Sequence, residues 1–294
     1  MDPLRSLIFV PGNRTNMLEK AKDFKTDIVM VDLEDSVPPN EKFAARELAS
    51  EWVDILSNHN QKIMVRVNSL DTGLTKDEIT NIISPRLYGI SLGKVTSRWD
   101  IQSLDSMLVE AEGRLKIPIG TIKIIPWIET AQSIMRLDDI SKASNRIIAV
   151  AFGAEDYTND MGIQRTDMGA EVEFPRSVVA IAARAANIAA LDSPFVSFKD
   201  PVNLKTDSMK ARQLGYTGKF AIHPGQLDII NQTFSPSQED IAYALAIVEG
   251  WNNAVNMGRG SFDLNGKMVD VPVVKRAQNL LDFSQSVAQM EQQR

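Results

Sequence analysis

Eight short apolar runs, separated by segments of helical length, constrain the fold of this chain more than any other feature of its sequence. They span residues 6–10, 28–32, 62–67, 88–92, 122–127, 147–152, 188–192 and 219–222. The runs are continuous rather than alternating, which is typical of parallel strands that are buried on both faces. Eight of them predict an α/β fold, a TIM-type (β/α)8 barrel, with its active site at the C-terminal ends of the strands.

The segments between the strands carry apolar residues at helical spacing. We predict helices at residues 15–24, 40–58, 77–83, 97–114, 130–143, 174–186 and 206–214. Thr15 is the predicted N-cap of the first of these helices, and the run VVAIAARAA predicts that the helix at 174–186 is buried.

The alternation of strand-like and helical segments ends near Ser235. A helix capped by Ser237 is followed by a hairpin that turns at Asn265-Gly266, and then by a last helix from residue 273 to about residue 290. We therefore predict two domains, the barrel at residues 1–234 and a C-terminal helical and hairpin extension at residues 235–294. We expect the extension to pack across the barrel mouth or onto a neighbouring subunit.

Composition excludes several classes of function. The 294-residue chain has a formal net charge of −6, which disfavours nonspecific binding to nucleic acid. It contains no cysteine, so disulfides, thiolate nucleophiles and Cys-ligated metals are excluded. No window approaches the roughly 20 apolar residues of a membrane span, and the N-terminal apolar run is too short for a signal peptide. We expect a soluble, cytoplasmic protein with no membrane partner.

Two carboxylates follow neighbouring strands of the predicted barrel. Glu129 follows IIPWI, and Asp156 follows AFGAE. Oxygen ligands from two strand ends suit Mg²⁺, which keeps other coordination positions for water and substrate. An alternative of equal weight is that each acid caps the helix that follows it.

Three acids within four positions end the second strand, in VMVDLEDSV. Glu34 and Asp35 are candidates to contact metal-bound water. Taken alone, a solvated or helix-capping cluster is the better interpretation. The crowding of acids at the rim that also carries Glu129 and Asp156 favours a cation there, because like charges repel.

Arg66 lies inside the strand pattern MVRVN, so its guanidinium is expected in the barrel or its mouth. Burying a guanidinium requires an anionic partner. A structural carboxylate such as Glu34 is one candidate, and a substrate carboxylate or enolate is the other.

The remaining polar residues at strand ends give weaker signals. Arg14, at a helix start, is a candidate phosphate ligand, and Lys94 could hold a phosphate or form a Schiff base, although a surface lysine is the better interpretation. His223 is expected to serve packing and hydrogen bonding, since two histidines in the chain provide no triad or histidine-rich metal site. Asp270, taken alone, is a loop acid.

Seven motifs in order then resemble one family over nearly the whole chain, from residue 7 to about residue 281. They are LIFVPGNR, VMVDLEDSV with Lys42 and Arg46 after it, VRVNSLDTG, IIPWIETAQSI, AFGAEDYTNDMG, GKFAIHPGQL and NGKMVDVPVVKRA. Together they resemble the citrate lyase β-chain-like family, which includes malyl-CoA and citramalyl-CoA lyases. RVNSLDTGL, IIPWIETA and the Ile222-His223-Pro224 run look closest to the free-standing citramalyl-CoA lyases. Gly93 stands where family members often have proline.

The resemblance implies a site and a reaction. Glu129 and Asp156 would bind Mg²⁺, Arg66 would contact the substrate and the developing enolate, and Asp270 would be the acid/base at the thioester α-carbon. Arg14 and Lys94 are the candidate contacts to coenzyme A. The implied reaction is cleavage of a 3-hydroxyacyl-CoA to acetyl-CoA and a 2-oxo acid. The family typically forms homo-oligomers, with trimers favoured, in which the C-terminal region can reach a neighbouring active site.

Other functions stay open on the sequence alone. One is the β subunit of a citrate lyase complex, which acts on a carrier-protein thioester. Another is an activity like that of malate synthase or a malyl-CoA thioesterase, and the non-enzymatic alternative is a regulatory barrel that binds acyl-CoA. The sequence does not fix which 2-oxo acid is formed, because a methyl group changes affinity by only about 1–3 kcal/mol.

Overall fold

The structure is a computed structural model that describes residues 2–166 and 168–293. Eight parallel strands close into a barrel in chain order, with the first strand paired to the eighth. The barrel strands are β1 Ser6–Pro11, β2 Ile28–Asp32, β3 Ile63–Val67, β4 Gly89–Leu92, β5 Lys123–Ile128, β6 Ala149–Phe152, β7 Ala189–Asp192 and β8 Gly218–Ala221. The predicted (β/α)8 barrel is confirmed, and each of the eight strands lies within two residues of its apolar run.

Helices follow the strands, as a right-handed β–α–β connection requires. They are α1 Thr15–Ala21, α2 Lys42–Ser57, α3 Thr75–Ile82, α4 Arg98–Leu115, α5 Ala131–Met135, α6 Leu137–Ser141, α7 Ala154–Asp160, α8 Ala170–Ala185, α9 Pro201–Leu214, α10 Leu227–Phe234, α11 Gln238–Asn256 and α12 Val271–Gln292. Among the described residues, none of these helices is long and apolar enough to cross a membrane.

Several helix predictions were wrong in detail. Thr15 begins α1 rather than capping it, because Arg14 occupies the N-cap position. The helix predicted at 130–143 is broken at Arg136, whose φ of −113° leaves the helical region. Helices α7 and α10 were not predicted, because seven or eight residues show too little periodicity.

Helix α8 is longer and less buried than predicted. It begins at Ala170, four residues before the predicted start. Val179 and Ala183 are buried, but Phe174 and Ile181 are largely exposed. A run of apolar residues does not by itself distinguish a fully buried helix from one whose second apolar face is exposed. Only the packing of the helix in the fold distinguishes the two.

The barrel interior is filled by side chains that alternate along each strand, as the two-residue period of a strand requires. Buried members of this cluster include Leu7 on β1, Ile28 and Met30 on β2, Met64 on β3 and Trp127 on β5. Continuing the same alternation toward the C-terminal ends brings Asp32, Arg66 and Glu129 to the inward-facing positions of the barrel mouth.

The chain divides into two compact units. Residues 4–231 form the barrel unit, and residues 232–293 form the other together with residues 2–3. The second unit contains α11, α12 and an antiparallel hairpin of β9 Phe262–Leu264 and β10 Lys267–Val269, which confirms the predicted hairpin. Ser237 caps α11 as predicted, accepting a hydrogen bond from the backbone N–H of Asp240 at 3.0 Å. This unit has its own small core, which includes Ala244, Ile247, Val269 and Ala277.

Candidate active site

Arg66 is held in the barrel mouth by Asp32. The two residues are register partners on β3 and β2, and both donors of the guanidinium fork, Nε and Nη2, lie 2.7 Å from the two oxygens of Asp32. The guanidinium also lies over the ring of Phe9, with 4.7 Å from Cζ to the centroid, an arrangement that favours a cation. The structural partner of Arg66 is therefore mainly Asp32, and the expectation that Glu34 fills this role was incomplete.

Glu34, Asp35 and Lys94 form the next part of the mouth. Nη1 of Arg66 lies 3.2 Å from Oε2 of Glu34 and 3.2 Å from Oδ2 of Asp35. The ammonium of Lys94 lies 3.1 Å from Oε1 of Glu34 and 3.4 Å from Oδ1 of Asp35. Lys94 is thus paired with the acid cluster, in contrast to the surface lysine that the sequence favoured.

The pKa values of these groups reflect burial and pairing together. Burial alone would lower the pKa of Arg66, but Asp32 outweighs it, and the net effect is a raised pKa. For Asp32 the opposite balance holds: burial raises the pKa, and the charge and hydrogen bonds of Arg66 bring it below the usual value. Glu34 keeps a raised pKa, because its burial is only partly offset by Arg66 and Lys94.

Glu129 follows β5 and is buried, with 3% of its surface exposed. Burial, and next to it the negative charge of Asp156, raises the pKa of Glu129 to about 8. Asp156, in the first turn of α7, also has a raised pKa, caused first by burial and then by the charge of Asp35. Glu129 partly offsets this rise in the pKa of Asp156, so the two carboxyl groups influence each other's pKa as neighbours in the mouth.

The helix-capping interpretation fails for Glu129. The residue after it, Thr130, is the N-cap of α5 and accepts from the backbone N–H of Ser133. Oε1 of Glu129 instead accepts a hydrogen bond from the backbone N–H of Lys94. Asp156 does lie in the first turn of a helix, where an anion is favoured, although Gly153 holds the N-cap position.

Two glycines leave space for these carboxylates. A Cβ atom on Gly153 would lie 2.5 Å from Oε2 of Glu129, and one on Gly93 would lie 2.7 Å from Oε2 of Glu34. Neither distance is tolerated between real atoms. The absence of a side chain at these two strand ends therefore lets the acids enter the mouth.

The donor set fits a hard divalent cation. Five carboxylates, those of Asp32, Glu34, Asp35, Glu129 and Asp156, share the mouth with the cations of Arg66 and Lys94. Because the acids outnumber the cations and Glu129 and Asp156 both have raised pKa values, the pair needs either a proton or a cation between its oxygens. Among residues 2–166 and 168–293, no three His, Cys, Asp or Glu side chains converge closely enough to hold a metal ion by themselves. A cation here would take two carboxylates and leave positions for water and substrate oxygens, as Mg²⁺ does.

The other candidate residues take no part in the contacts described above. Arg14 is exposed at the start of α1. His223 serves the structural role that was predicted, since its Nδ1 accepts from the backbone N–H of Gly225 at 3.1 Å and its ring stacks on Phe198. Asp270 belongs to the C-terminal unit, where it caps α12 by accepting from the backbone N–H of Val273 at 3.4 Å.

Sequence reasoning did not assign a role to Asp32, although a signal was present. Asp32 follows Ile28 and Met30 at two-residue spacing, so it must share their inward-facing side. Arg66 follows Met64 in the same way. An acid and an arginine on the inner faces of consecutive strands would have indicated the pair.

Fold and site together define a (β/α)8-barrel enzyme whose mouth gathers several carboxylates around a buried arginine. Residues 5–224 match the family model of the HpcH/HpaI aldolase/citrate lyase family. The chain belongs to this family, which confirms the resemblance seen in the sequence and the prediction of a carbon–carbon lyase at the level of the family.

Individual relatives cover almost the whole chain. Citrate lyase subunit beta of Leuconostoc mesenteroides subsp. cremoris is 35% identical over 280 residues, which cover 95% of this chain and 93% of that protein. Mitochondrial citramalyl-CoA lyase of Homo sapiens is 28% identical over 297 residues, covering 97% and 86%. A solved structure of CitE from Mycobacterium tuberculosis, in complex with magnesium, acetoacetate and coenzyme A, shares the fold with a TM-score of 0.75 at 24% identity, covering 97% and 98%.

Proposed function

We propose that this protein is a Mg²⁺-dependent carbon–carbon lyase that cleaves a 3-hydroxyacyl-CoA of the citramalyl-CoA or malyl-CoA type. The products would be acetyl-CoA and a 2-oxo acid. The observation that supports this most strongly is the buried carboxylate of Glu129, held by the backbone N–H of Lys94, in the same barrel mouth as the guanidinium of Arg66, which Asp32 fixes. Asp156 is its acidic neighbour there. The relatives named citrate lyase subunit beta and citramalyl-CoA lyase support the same reaction class.

Glu129 and Asp156 are the residues that would hold Mg²⁺. When bound, the ion would act as a Lewis acid on the substrate hydroxyl and the neighbouring carboxylate. Glu34 and Asp35, next to this pair, are the acids proposed to contact metal-bound water. Burial strengthens the interactions of Glu34 and Glu129, because the local dielectric is low.

Arg66 is the proposed stabiliser of the substrate anion. In this reaction the substrate hydroxyl gives its proton to water, the bond between the α- and β-carbons breaks, and the β-carbon becomes the carbonyl carbon of the 2-oxo acid. The electron pair of that bond remains as the enolate of the thioester. A fixed guanidinium nitrogen beside the enolate oxygen would lower the activation barrier of carbon–carbon cleavage, because it stabilises negative charge where that charge develops.

Asp270 is the proposed acid that donates a proton to the α-carbon of the enolate, which gives the acetyl thioester, and it then takes a replacement proton from water. This role rests on the resemblance of NGKMVDVPVVKRA to the family motif. Homo-oligomerisation, with a trimer favoured, is part of the same proposal, because the Asp270 of one subunit can then serve a neighbouring active site.

Arg14 and Lys94 are the proposed coenzyme A contacts, and a cytoplasmic location is proposed.

A second candidate is the β subunit of a citrate lyase complex, which would use a carrier-protein thioester. The 35% identity to the Leuconostoc subunit, against 28% to the human citramalyl-CoA lyase, favours it. The two candidates share the bond that is cleaved and differ in the group that carries the acyl chain.

The test is product formation by the purified protein from (S)-citramalyl-CoA and malyl-CoA, with Mg²⁺ and then with EDTA. Mg²⁺-dependent release of pyruvate or glyoxylate together with acetyl-CoA is the expected result. Release of free CoA would indicate a thioesterase instead. Binding of CoA thioesters without turnover would indicate a regulatory barrel, and activity only after addition of carrier and partner chains would indicate the complex subunit.

A further inference from the structure

The carboxylate of Asp32 is the most completely bonded group in the barrel mouth. Its Oδ1 accepts from Nε of Arg66 at 2.7 Å and from the backbone N–H of Glu34 at 2.9 Å. Its Oδ2 accepts from Nη2 of Arg66 at 2.7 Å and from the backbone N–H of Ser36 at 3.2 Å. Only 2% of the side chain is exposed. Four hydrogen bonds in a buried position fix the plane of this carboxylate.

A fixed carboxylate fixes the guanidinium that is paired with it. Asp32 engages two of the three nitrogens of Arg66 in the parallel fork geometry that gives arginine its directional specificity. The ring of Phe9 supports one face of the same guanidinium. The third nitrogen, Nη1, is then the one that faces Glu34 and Asp35, at 3.2 Å from each.

We propose that Asp32 is a positioning residue for the lyase reaction. By holding Nε and Nη2, it keeps Nη1 of Arg66 at the mouth as the donor that the anionic oxygen of the substrate would share with Glu34 and Asp35. The inference rests on the proposed function and deepens it. Asp32 does not touch the reacting atoms. It holds a donor where negative charge grows during carbon–carbon cleavage, so its loss affects the transition state more than the bound substrate.

This role predicts a particular kinetic signature. Asp32→Asn keeps the size of the side chain but replaces one acceptor with a donor that opposes the guanidinium, so Arg66 must turn. We expect kcat for (S)-citramalyl-CoA to fall by about tenfold to a hundredfold, with KM little changed. A rise in KM at unchanged kcat would overturn the inference.

A double-mutant comparison separates positioning from simple structural support. Arg66→Lys replaces the fork with a point charge that Asp32 cannot orient. In that background, Asp32→Asn should lower kcat by less than about twofold. The same loss of kcat in both backgrounds would overturn the inference.

The chain offers a matched control at the opposite end of β2. Asp27 makes an equivalent two-point contact, accepting from Nε of Arg5 at 3.0 Å and from Nη2 at 2.9 Å. Asp27→Asn should lower the melting temperature and leave kcat of the folded protein unchanged. An equal loss of kcat in Asp27→Asn and Asp32→Asn would show that both act through stability alone.

Two further results keep this inference distinct from the proposed function. If Asp32→Asn does not fold, Asp32→Glu retains the charge, displaces the carboxylate by one methylene group and should show the same fall in kcat. Wild-type turnover that Asp32→Asn and Asp32→Glu leave unchanged would overturn the positioning role alone. Absence of wild-type turnover on every thioester tested would overturn the proposed function and this inference with it.

Discussion

The backbone N–H of Lys94 donates a hydrogen bond to Oε1 of Glu129, while the same residue adopts a left-handed conformation with φ of 54°. Its ammonium pairs with Glu34 at 3.1 Å. One residue just after β4 therefore contacts both Glu129, one of the two carboxylates proposed to bind Mg²⁺, and the acids beside Arg66. A non-glycine residue in this region is uncommon, and such residues cluster at functional sites.

Replacing Lys94 with asparagine should strengthen Mg²⁺ binding. Asparagine tolerates the left-handed conformation, so the backbone hydrogen bond to Glu129 is kept while the competing ammonium is removed. Because the Lys94 side chain is 42% exposed, solvent screening limits the gain to roughly a few-fold in Kd. Calorimetric titration with Mg²⁺ measures it, and weaker binding in the variant would contradict the expectation.

The stability of the metal-free protein should fall as pH rises from 6 to 8. The folded pKa of Glu129 is about 8, against about 4.3 for an unfolded glutamate. Between these values the folded state retains a proton that the unfolded chain has lost, so its contribution to stability is lost progressively as pH rises. Each pH unit corresponds to about 1.4 kcal/mol.

Chemical denaturation at pH 6 and pH 8 in EDTA measures this effect. Glu129→Gln, which cannot ionise, should flatten the dependence, and Mg²⁺ added at pH 8 should restore stability to the wild type. Equal stability of the metal-free wild type at both pH values would show that Glu129 does not carry the raised pKa.

Gly153→Ala should abolish Mg²⁺ binding and turnover. The new Cβ would lie 2.5 Å from Oε2 and 2.7 Å from Cβ of Glu129, so the carboxylate must move out of the mouth. Gly113→Ala is the control, because that glycine lies in α4 with no heavy atom within 4 Å of the added Cβ. It should stabilise the fold by about 0.5–1 kcal/mol and leave activity unchanged. Normal Mg²⁺ affinity in Gly153→Ala would remove Glu129 as a ligand.

Asp270→Asn should abolish turnover while the stability of the protein is nearly kept. Asparagine caps a helix about as well as aspartate, so the cap of α12 at Val273 remains while the proton donor is lost. Ser237→Ala provides the opposite case, since it removes the cap of α11 at a cost of about 1 kcal/mol and should leave kcat unchanged. Full activity in Asp270→Asn would reduce Asp270 to its capping role.

Arg146 should contribute to stability and not to catalysis. It joins the segment before β6 to α4, with Nη1 and Nη2 at 2.8 and 2.6 Å from the oxygens of the buried Glu112. Arg146→Ala leaves that carboxylate without its partner and should cost roughly 3–5 kcal/mol. The exposed pair of Lys142 and Asp138 is the comparison, and Lys142→Ala should cost less than about 1 kcal/mol. Thermal melts of the two variants distinguish these cases, and similar small shifts would contradict the assignment.

Much of the fold could be predicted because the information is local. Each barrel strand is a continuous apolar run of four to six residues, and Asn265-Gly266 encodes its own hairpin turn. The break between α5 and α6 and the exposed face of α8 could not be predicted in this way. Both depend on which residues from elsewhere in the chain pack against a segment, and the sequence of the segment itself does not specify those neighbours.

The sequence by itself determined which residues stand at the strand ends, including Glu34, Arg66, Glu129 and Asp156, because side-chain order along a buried strand follows from a period of two. Only the tertiary structure decided that Arg66 pairs with Asp32 and that Lys94 contacts Glu129. Closure of the barrel brings residues from separate strands within hydrogen-bonding distance, and their shared burial raises or lowers their pKa values. Neither the pairing nor the desolvation exists until the eight strands have closed.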